Sequence, residues 1–179
     1  LNLARRAGID VGRCRWADYW PLLSQTLQSR HGVGPVHTLA EIERLAGAFT
    51  QLEVLGAWQR PSDGKPATPG HDLHFTADAA TLPFKPESCP LHAGIVLFHY
   101  AGVTHTQYLA SAPEGFETRA QHAILELAIE AARARGQRWF SFGTSTTDGG
   151  AVLNEGLLRH KEMFGARSTI LQTLVLDLR

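Results

Sequence analysis

Three short stretches of this 179-residue chain gather side chains that can hold charge or move protons. His105, Gln107 and Tyr108 lie within Val103–Ser111, a run with strand-like residues. Histidine and tyrosine are general acid–base groups, and a strand presents them at fixed spacing. Strict alternation would put His105 and Gln107 on one face, with Thr106 and Tyr108 on the other. The bland alternative is packing, because a lone His or Tyr in a strand is commonly a satisfied core group. The second stretch, Gly143-Thr144-Ser145-Thr146-Thr147, follows a strand-like run at Arg138–Phe142. Hydroxyls and amides at a strand's carboxyl end can bind a carbonyl or a phosphate, where open α/β sheets take their ligands. Four hydroxyls in a row can also simply cap a helix. The third is Lys161-Glu162, on a helical stretch closed by Gly165. Lys161 could neutralise a phosphate or carboxylate, or share a solvated helix face with Glu162. Asn154, ahead of it, could cap or bend the helix start, or hold the loop 143–150 in place.

A fourth group has metal-ligand residue types. His71-x-x-His74 and Cys89-x-x-His92 are two close pairs separated by 14 residues, a zinc-knuckle spacing. His92 opens a strand, however, and nine histidines make chance pairs common, so no metal is expected here.

These groups need a frame. Residues 1–8 read as the tail of a basic helix stopped by Gly8, and Ile9–Cys14 as a first strand. Trp16, Trp20, Leu23 and Leu27 recur at helical spacing, so 17–31 is expected to be helix, with Pro21 in its first turn. Thr38-x-x-Glu41 is a capping box that starts a helix carrying Ile42, Leu45 and Phe49 on one side. Gln51–Trp58 reads as a strand, and residues 60–91, rich in proline, as a long loop. His92–Tyr100 and Val103–Ser111 form adjacent strands around Ala101-Gly102. Thr118-x-x-Gln121 then caps a helix burying Ile124, Leu127, Ala128 and Ala131, which Gly136 stops. The strand at Arg138–Phe142, a helix near 151–164 and a last strand at Ser168–Leu178 complete the order.

Composition narrows the class. Hydrophobic residues make up 44%, enough for a real core, and the length fits one domain over 1–179. Lys plus Arg and Asp plus Glu both number 17, so no global field favours a nucleic acid or a membrane. Two cysteines are too few for a disulfide framework. No apolar run reaches the length of a membrane span and the first residues lack a signal core, so a cytoplasmic location is expected.

The words HTQYLAS at 105–111, FGTSTTDGG at 142–150, LNEGL at 153–157 and KEMFGAR at 161–167 carry a family resemblance. Over roughly 92–178, and loosely before that, the chain resembles a GNAT-fold acyltransferase, in particular the branch related to FemAB-like peptidyl and aminoacyl transferases. The resemblance implies an α/β (α+β) fold, a mixed twisted sheet flanked by helices. It also implies N-acyl or aminoacyl transfer to an amine of a cell-envelope or polysaccharide precursor, small or lipid-linked. Its catalytic residues would be His105, Tyr108 and Lys161, with Gln107, Thr144, Ser145 and Asn154 binding substrate.

In that family the donor's phosphates meet amides at the start of the helix after the fourth strand. That place here is Ser111–Arg119, making Gly115, Thr118 and Arg119 the cofactor-binding residues. This loop has one glycine, a proline and two glutamates where the family pattern is Arg/Gln-x-x-Gly-x-Gly/Ala. Acetyl coenzyme A is therefore expected to bind weakly, leaving the donor as either aminoacyl-tRNA or an acyl-CoA. Many acetyltransferases of the fold place a tyrosine on the last helix to protonate the leaving thiolate, and Lys161 stands at the matching position. A lysine can serve there only if burial lowers its pKa. FemAB-like enzymes pair two such halves. The basic opening at 1–8 and a first residue that is Leu, not Met, fit a second half, in which case the lobe could scaffold or bind acceptor without catalysis.

Overall fold

The computed structural model describes residues 2–60, 82–170, 172 and 174–176. Two compact units divide the chain, one over Leu1–Gly143 and one over Thr144–Arg179.

In the first unit, the short helix α1 (Asn2–Arg6) precedes β1 (Ile9–Arg13). The helix α2 (Trp16–His31) follows because aromatic and aliphatic residues recur along one stripe, and Tyr19, Trp20 and Leu23 are buried there. Pro21 lies inside this helix, past the first turn expected for it. It is tolerated because Pro21 and Ala17, whose carbonyl loses its partner, both face solvent. The capping box of α3 (Leu39–Ala48) forms as expected: Thr38 Oγ1 accepts from the Glu41 amide at 3.2 Å, and the Glu41 carboxylate accepts the Thr38 amide at 2.7 Å. Ile42 is its buried anchor, while Phe49 stays exposed at the cap.

The strands β2 (Leu52–Gln59), β3 (Leu91–Tyr100), β4 (Val103–Ser111) and β5 (Trp139–Ser141) join β1 in one sheet of order β1-β2-β3-β4-β5. Every pairing is antiparallel except β4 with β5, which is parallel. Val54, Val96 and Ala110 pack under α2 and α3 on one face. The helix α5 (Ala120–Ala134) covers the other face with Ile124, Leu127, Ala128 and Ala131, the stripe read from the sequence. A short helix, α4 (Pro113–Glu117), precedes α5 and was not anticipated. Of the long loop 60–91, the part from 82 onward lies along the outer edge of β1, where the Arg13 and Lys85 amides donate to Pro83 and Arg13 carbonyls at 2.8 Å each. His71 and His74 lie outside the described residues. Cys89 and His92 are buried, and no cluster of metal-ligating residues occurs among the described residues.

In the second unit, β6 (Thr146–Thr147) and β7 (Val152–Leu153) form a small antiparallel hairpin around a 3-10 turn at Asp148–Gly150. The expected helix near 151–164 therefore starts later, as α6 (Glu155–Glu162). Two glycines and Asp148, all at positive φ, turn the chain back on itself first. The last strand expected at Ser168–Leu178 is absent from the described part of that segment. Ile170 and Leu174 are 86% and 90% exposed. An apolar β-prone run becomes a strand only where an edge pairs with it. No helix among the described residues is long and apolar enough to cross a membrane.

Candidate active site

The pairing of β4 with β5 covers only three positions, Val103–His105 against Trp139–Ser141. β5 then ends, and Gly143 turns the chain at φ +70°. β4 runs on to Ser111, held by β3 alone in the sheet. Two parallel strands that part in this way leave the outer edge of β4 beyond His105 without a sheet partner among the described residues.

His105 stands where the strands part. Its Nδ1 lies 3.0 Å from the hydroxyl of Ser141, which also accepts the Gly143 amide at 3.4 Å. Ser141 was not anticipated. Only the parallel register sets it beside His105, and no sequence spacing encodes that register. The expected face assignment along β4 needs correction. Thr106 pairs with Leu97, but Tyr108 pairs with Val96, so Gln107 is the extra residue of a β-bulge. The bulge resets the alternation after it. His105, opposite Phe98, and Tyr108, opposite Val96, share the face under α2, while Thr106 faces α5 and Gln107 is exposed. The Tyr108 ring meets Trp20 edge-on at 6.1 Å, so its body is packing. Its hydroxyl has no hydrogen-bond partner among the described residues.

The turn after β4 is built from a second bulge. Trp58 pairs with Leu91 and Ala57 with Ala93, which leaves His92 as the extra residue of β3. Its carbonyl accepts the Ala112 amide at 2.9 Å and the Ser111 hydroxyl at 3.2 Å. Gly115 is buried against that carbonyl: a Cβ there would lie 2.1 Å from the oxygen. The Gly115 amide donates to Ala112, and the Thr118 hydroxyl donates to the Glu114 carbonyl at 2.8 Å. Thr118 thus closes α4 and does not cap α5, whose N-cap is Arg119 at φ +60°. Both polar groups are used within the fold. The Ala120 and Gln121 amides, at the start of α5, have no backbone acceptor among the described residues. The exposed Arg119 lies beside them, and the Arg30 guanidinium sits 5.1 Å over the Phe116 ring of α4. These two cations share the corner with Glu114 and Glu117.

The second unit holds the remaining residues. Asn154 caps α6, its Oδ1 accepting from the Leu157 amide at 3.0 Å, and its own amide donates to the Ser145 carbonyl at 2.8 Å. Ser145 is half-buried and Thr144 exposed. Lys161 is not on a solvated face. It is 8% exposed, donates to the Thr144 carbonyl, and burial pushes its ammonium below the usual lysine range. Leu157 is 38% exposed, because the less exposed stripe runs through Leu158, Lys161 and Phe164.

No protein-family model and no curated protein matches the sequence. Solved structures do match, over nearly the whole chain. An acetyltransferase from Trypanosoma brucei is 14% identical, covering 95% of this chain and 99% of its own, with a TM-score of 0.57. AAC(6')-Iy, solved with a bisubstrate analog of CoA and monomethyl-acetylneamine, is 10% identical, covering 96% and 98%, at 0.58. A transcriptional regulator from Bacillus halodurans matches at 10% identity, 95% and 99% coverage, and 0.58. At such identities the likeness is one of fold, and a fold hosts several functions. The chain has the mixed α/β fold of the GNAT acetyltransferases, a mostly antiparallel sheet flanked by helices.

Proposed function

We propose that the protein is an N-acyltransferase, moving an acyl group from an activated carrier to a small amine. The single observation that carries this reading is the parting of β4 from β5 with His105 and Ser141 paired at the point of divergence. When the Nδ1–H donates to Ser141, the lone pair is on Nε2, which can take the proton of an attacking amine. The amine nitrogen then bonds to the acyl carbon, and the carbonyl oxygen gains charge. The bulge at Gln107 leaves its main-chain amide outside the ladder, a donor fit for that oxyanion. Collapse expels the carrier's sulfur or oxygen, to which the His105 imidazolium passes the proton, while Lys161, its pKa lowered by burial, keeps the catalytic role that the resemblance implies. Tyr108, through its unengaged hydroxyl, contacts the acyl group or the amine. Within the second unit, Thr144, Ser145 and Asn154 keep the substrate-binding role that the resemblance implies.

The donor's anionic arm meets the open Ala120 and Gln121 amides and Arg119 at the start of α5. The resemblance to acetyltransferases of this fold favours an acyl-CoA. A second reading is an aminoacyl-tRNA donor and a cell-envelope amine. It is favoured by Lys161 in place of an acid tyrosine and by Gly115 and Thr118 being bonded internally. A lobe that only binds acceptor is the third reading, and it differs by having no turnover.

The deciding experiment incubates the protein with acetyl-CoA or aminoacyl-tRNA and a panel of aminoglycosides, amino sugars and lysine derivatives. Mass spectrometry reads the products. An N-acylated amine that disappears with His105→Ala is expected. The absence of product with both donors overturns the enzymatic reading.

A further inference from the structure

We propose that a cleft on the α5 face of the sheet binds a small molecule by a carboxylate or phosphate group held between Arg13 and Arg135. The cleft measures about 430 Å³ and is lined by Arg13, Thr50, Gln51, Glu53, His99 and Arg135. That size suits a small metabolite. It is distinct from the His105 and Tyr108 side of the sheet. His99 pairs with Thr104, which alternates with His105, so this group faces the other way.

One wall is a fixed chain of hydrogen bonds. The Arg135 Nη2 donates to Glu53 Oε1 at 3.0 Å and lies 2.9 Å from Oε2 as an ion pair. Glu53 also meets His99 Nε2 at 3.2 Å, and His99 Nδ1 meets the Thr104 hydroxyl at 2.9 Å. The carboxylate is thereby fully engaged. Arg13 is not. Its guanidinium makes no ion pair and no hydrogen bond among the described residues, and rests 5.6 Å over the Phe84 ring. The Arg135 Nη1 likewise has no acceptor. Two guanidiniums against one carboxylate leave the cleft net positive. A planar fork of donors with no partner matches the paired oxygens of a carboxylate or phosphate. An anion would supply the acceptors that the fold leaves out, and an unmade buried bond is costly. Thr50 and Gln51, both exposed at the rim, add neutral polar groups for the rest of the ligand.

The test is a side-chain arginine and backbone NMR titration of the full chain with sodium phosphate, and separately with sodium succinate, at constant ionic strength. Saturable shifts at Arg13, Gln51 and Arg135 are expected with at least one of them, at a dissociation constant of about 1 mM or tighter. Saturation by phosphate alone assigns a phosphoryl ligand, and by succinate alone a carboxylate ligand. Arg13→Gln should weaken binding at least tenfold while leaving the rest of the spectrum in place, and Arg13→Lys should weaken it less. Two results overturn the proposal: neither anion saturates the wild-type protein, or Arg13→Gln titrates like the wild type.

Discussion

A buried lysine costs a fold something, because fixed partners replace the water around its ammonium only in part. Lys161 is such a residue, donating to Thr144 with its pKa lowered by desolvation. A lowered lysine pKa makes the unfolded chain the better proton binder. Its contribution to stability is therefore complete above the ordinary value of 10.5 and is lost as pH falls through the folded value. At neutral pH the charged form is the unfavourable one in the fold. Lys161→Met, which keeps the stem and drops the charge, is expected to leave the melting temperature unchanged or raised. The same change should lower turnover at least tenfold, about 1.4 kcal/mol of transition-state stabilisation. Unaltered turnover in the variant would make Lys161 a structural residue. The pairing of His105 with Ser141 invites a second substitution. Ser141→Ala removes the hydroxyl that meets Nδ1 of His105, so kcat should fall about tenfold with KM little changed. A change confined to KM would place Ser141 in binding.

Two turns illustrate what an element demands of single residues. Ala101 and Gly102 join β3 to β4 with both residues at positive φ, +40° and +80°. A two-residue hairpin turn of this kind asks for Asn-Gly or Gly-Gly, and alanine is strained there. Ala101→Gly should thus raise stability by about 0.5–1 kcal/mol, read from chemical denaturation; a loss of stability would show that the turn is not of this type. Gly115 has the opposite character, since any Cβ meets the His92 carbonyl. Gly115→Ala is expected to cost about 1–3 kcal/mol by overpacking. If Gly115 served only to admit a phosphate, donor affinity would fall while stability held. Such elements also mark what the sequence could reveal. The hairpin, the Thr38 cap and the buried stripe of α5 were readable because period and turn chemistry act locally. The bulges at Gln107 and His92 were not, because register between strands is decided by partners far along the chain. That is why strict alternation gives the wrong face for Tyr108, and why no sequence spacing points to Ser141. Thr118 misled for a local reason, as its hydroxyl closes a short helix that a helical period cannot resolve.

For the whole molecule, equal numbers of acids and bases leave no net field, so its response to pH depends on which individual groups the fold perturbs. Burial lowers the pKa of His92 and of His160 below the ordinary 6.5. A neutral imidazole buried in the fold takes up its proton later than the same group in the unfolded chain. Each therefore contributes stability that is complete above 6.5 and is lost as pH falls through the folded value. The carboxylates add a lower step. Burial pushes Glu53 up, but His99 and Arg135 more than offset it and hold it below 4.5, while Arg15 holds Asp18 below 3.8. Their contributions are present above those values and vanish below. On the alkaline side, burial pushes the Cys14 thiol up to about 12, so its contribution is complete below 9.0 and declines as pH rises beyond it. The melting temperature should then be highest between neutrality and pH 9, fall shallowly just below 6.5, and fall steeply once the carboxylates take up protons. Replacing His92 by Gln removes one of the two imidazoles, so the shallow step should shrink while the steep one stays. Differential scanning calorimetry across this range reads both steps. A melting temperature that rises on acidification from pH 7 to 5 would mean that the buried imidazoles are held charged, and would reverse the sign assigned to His92 and His160.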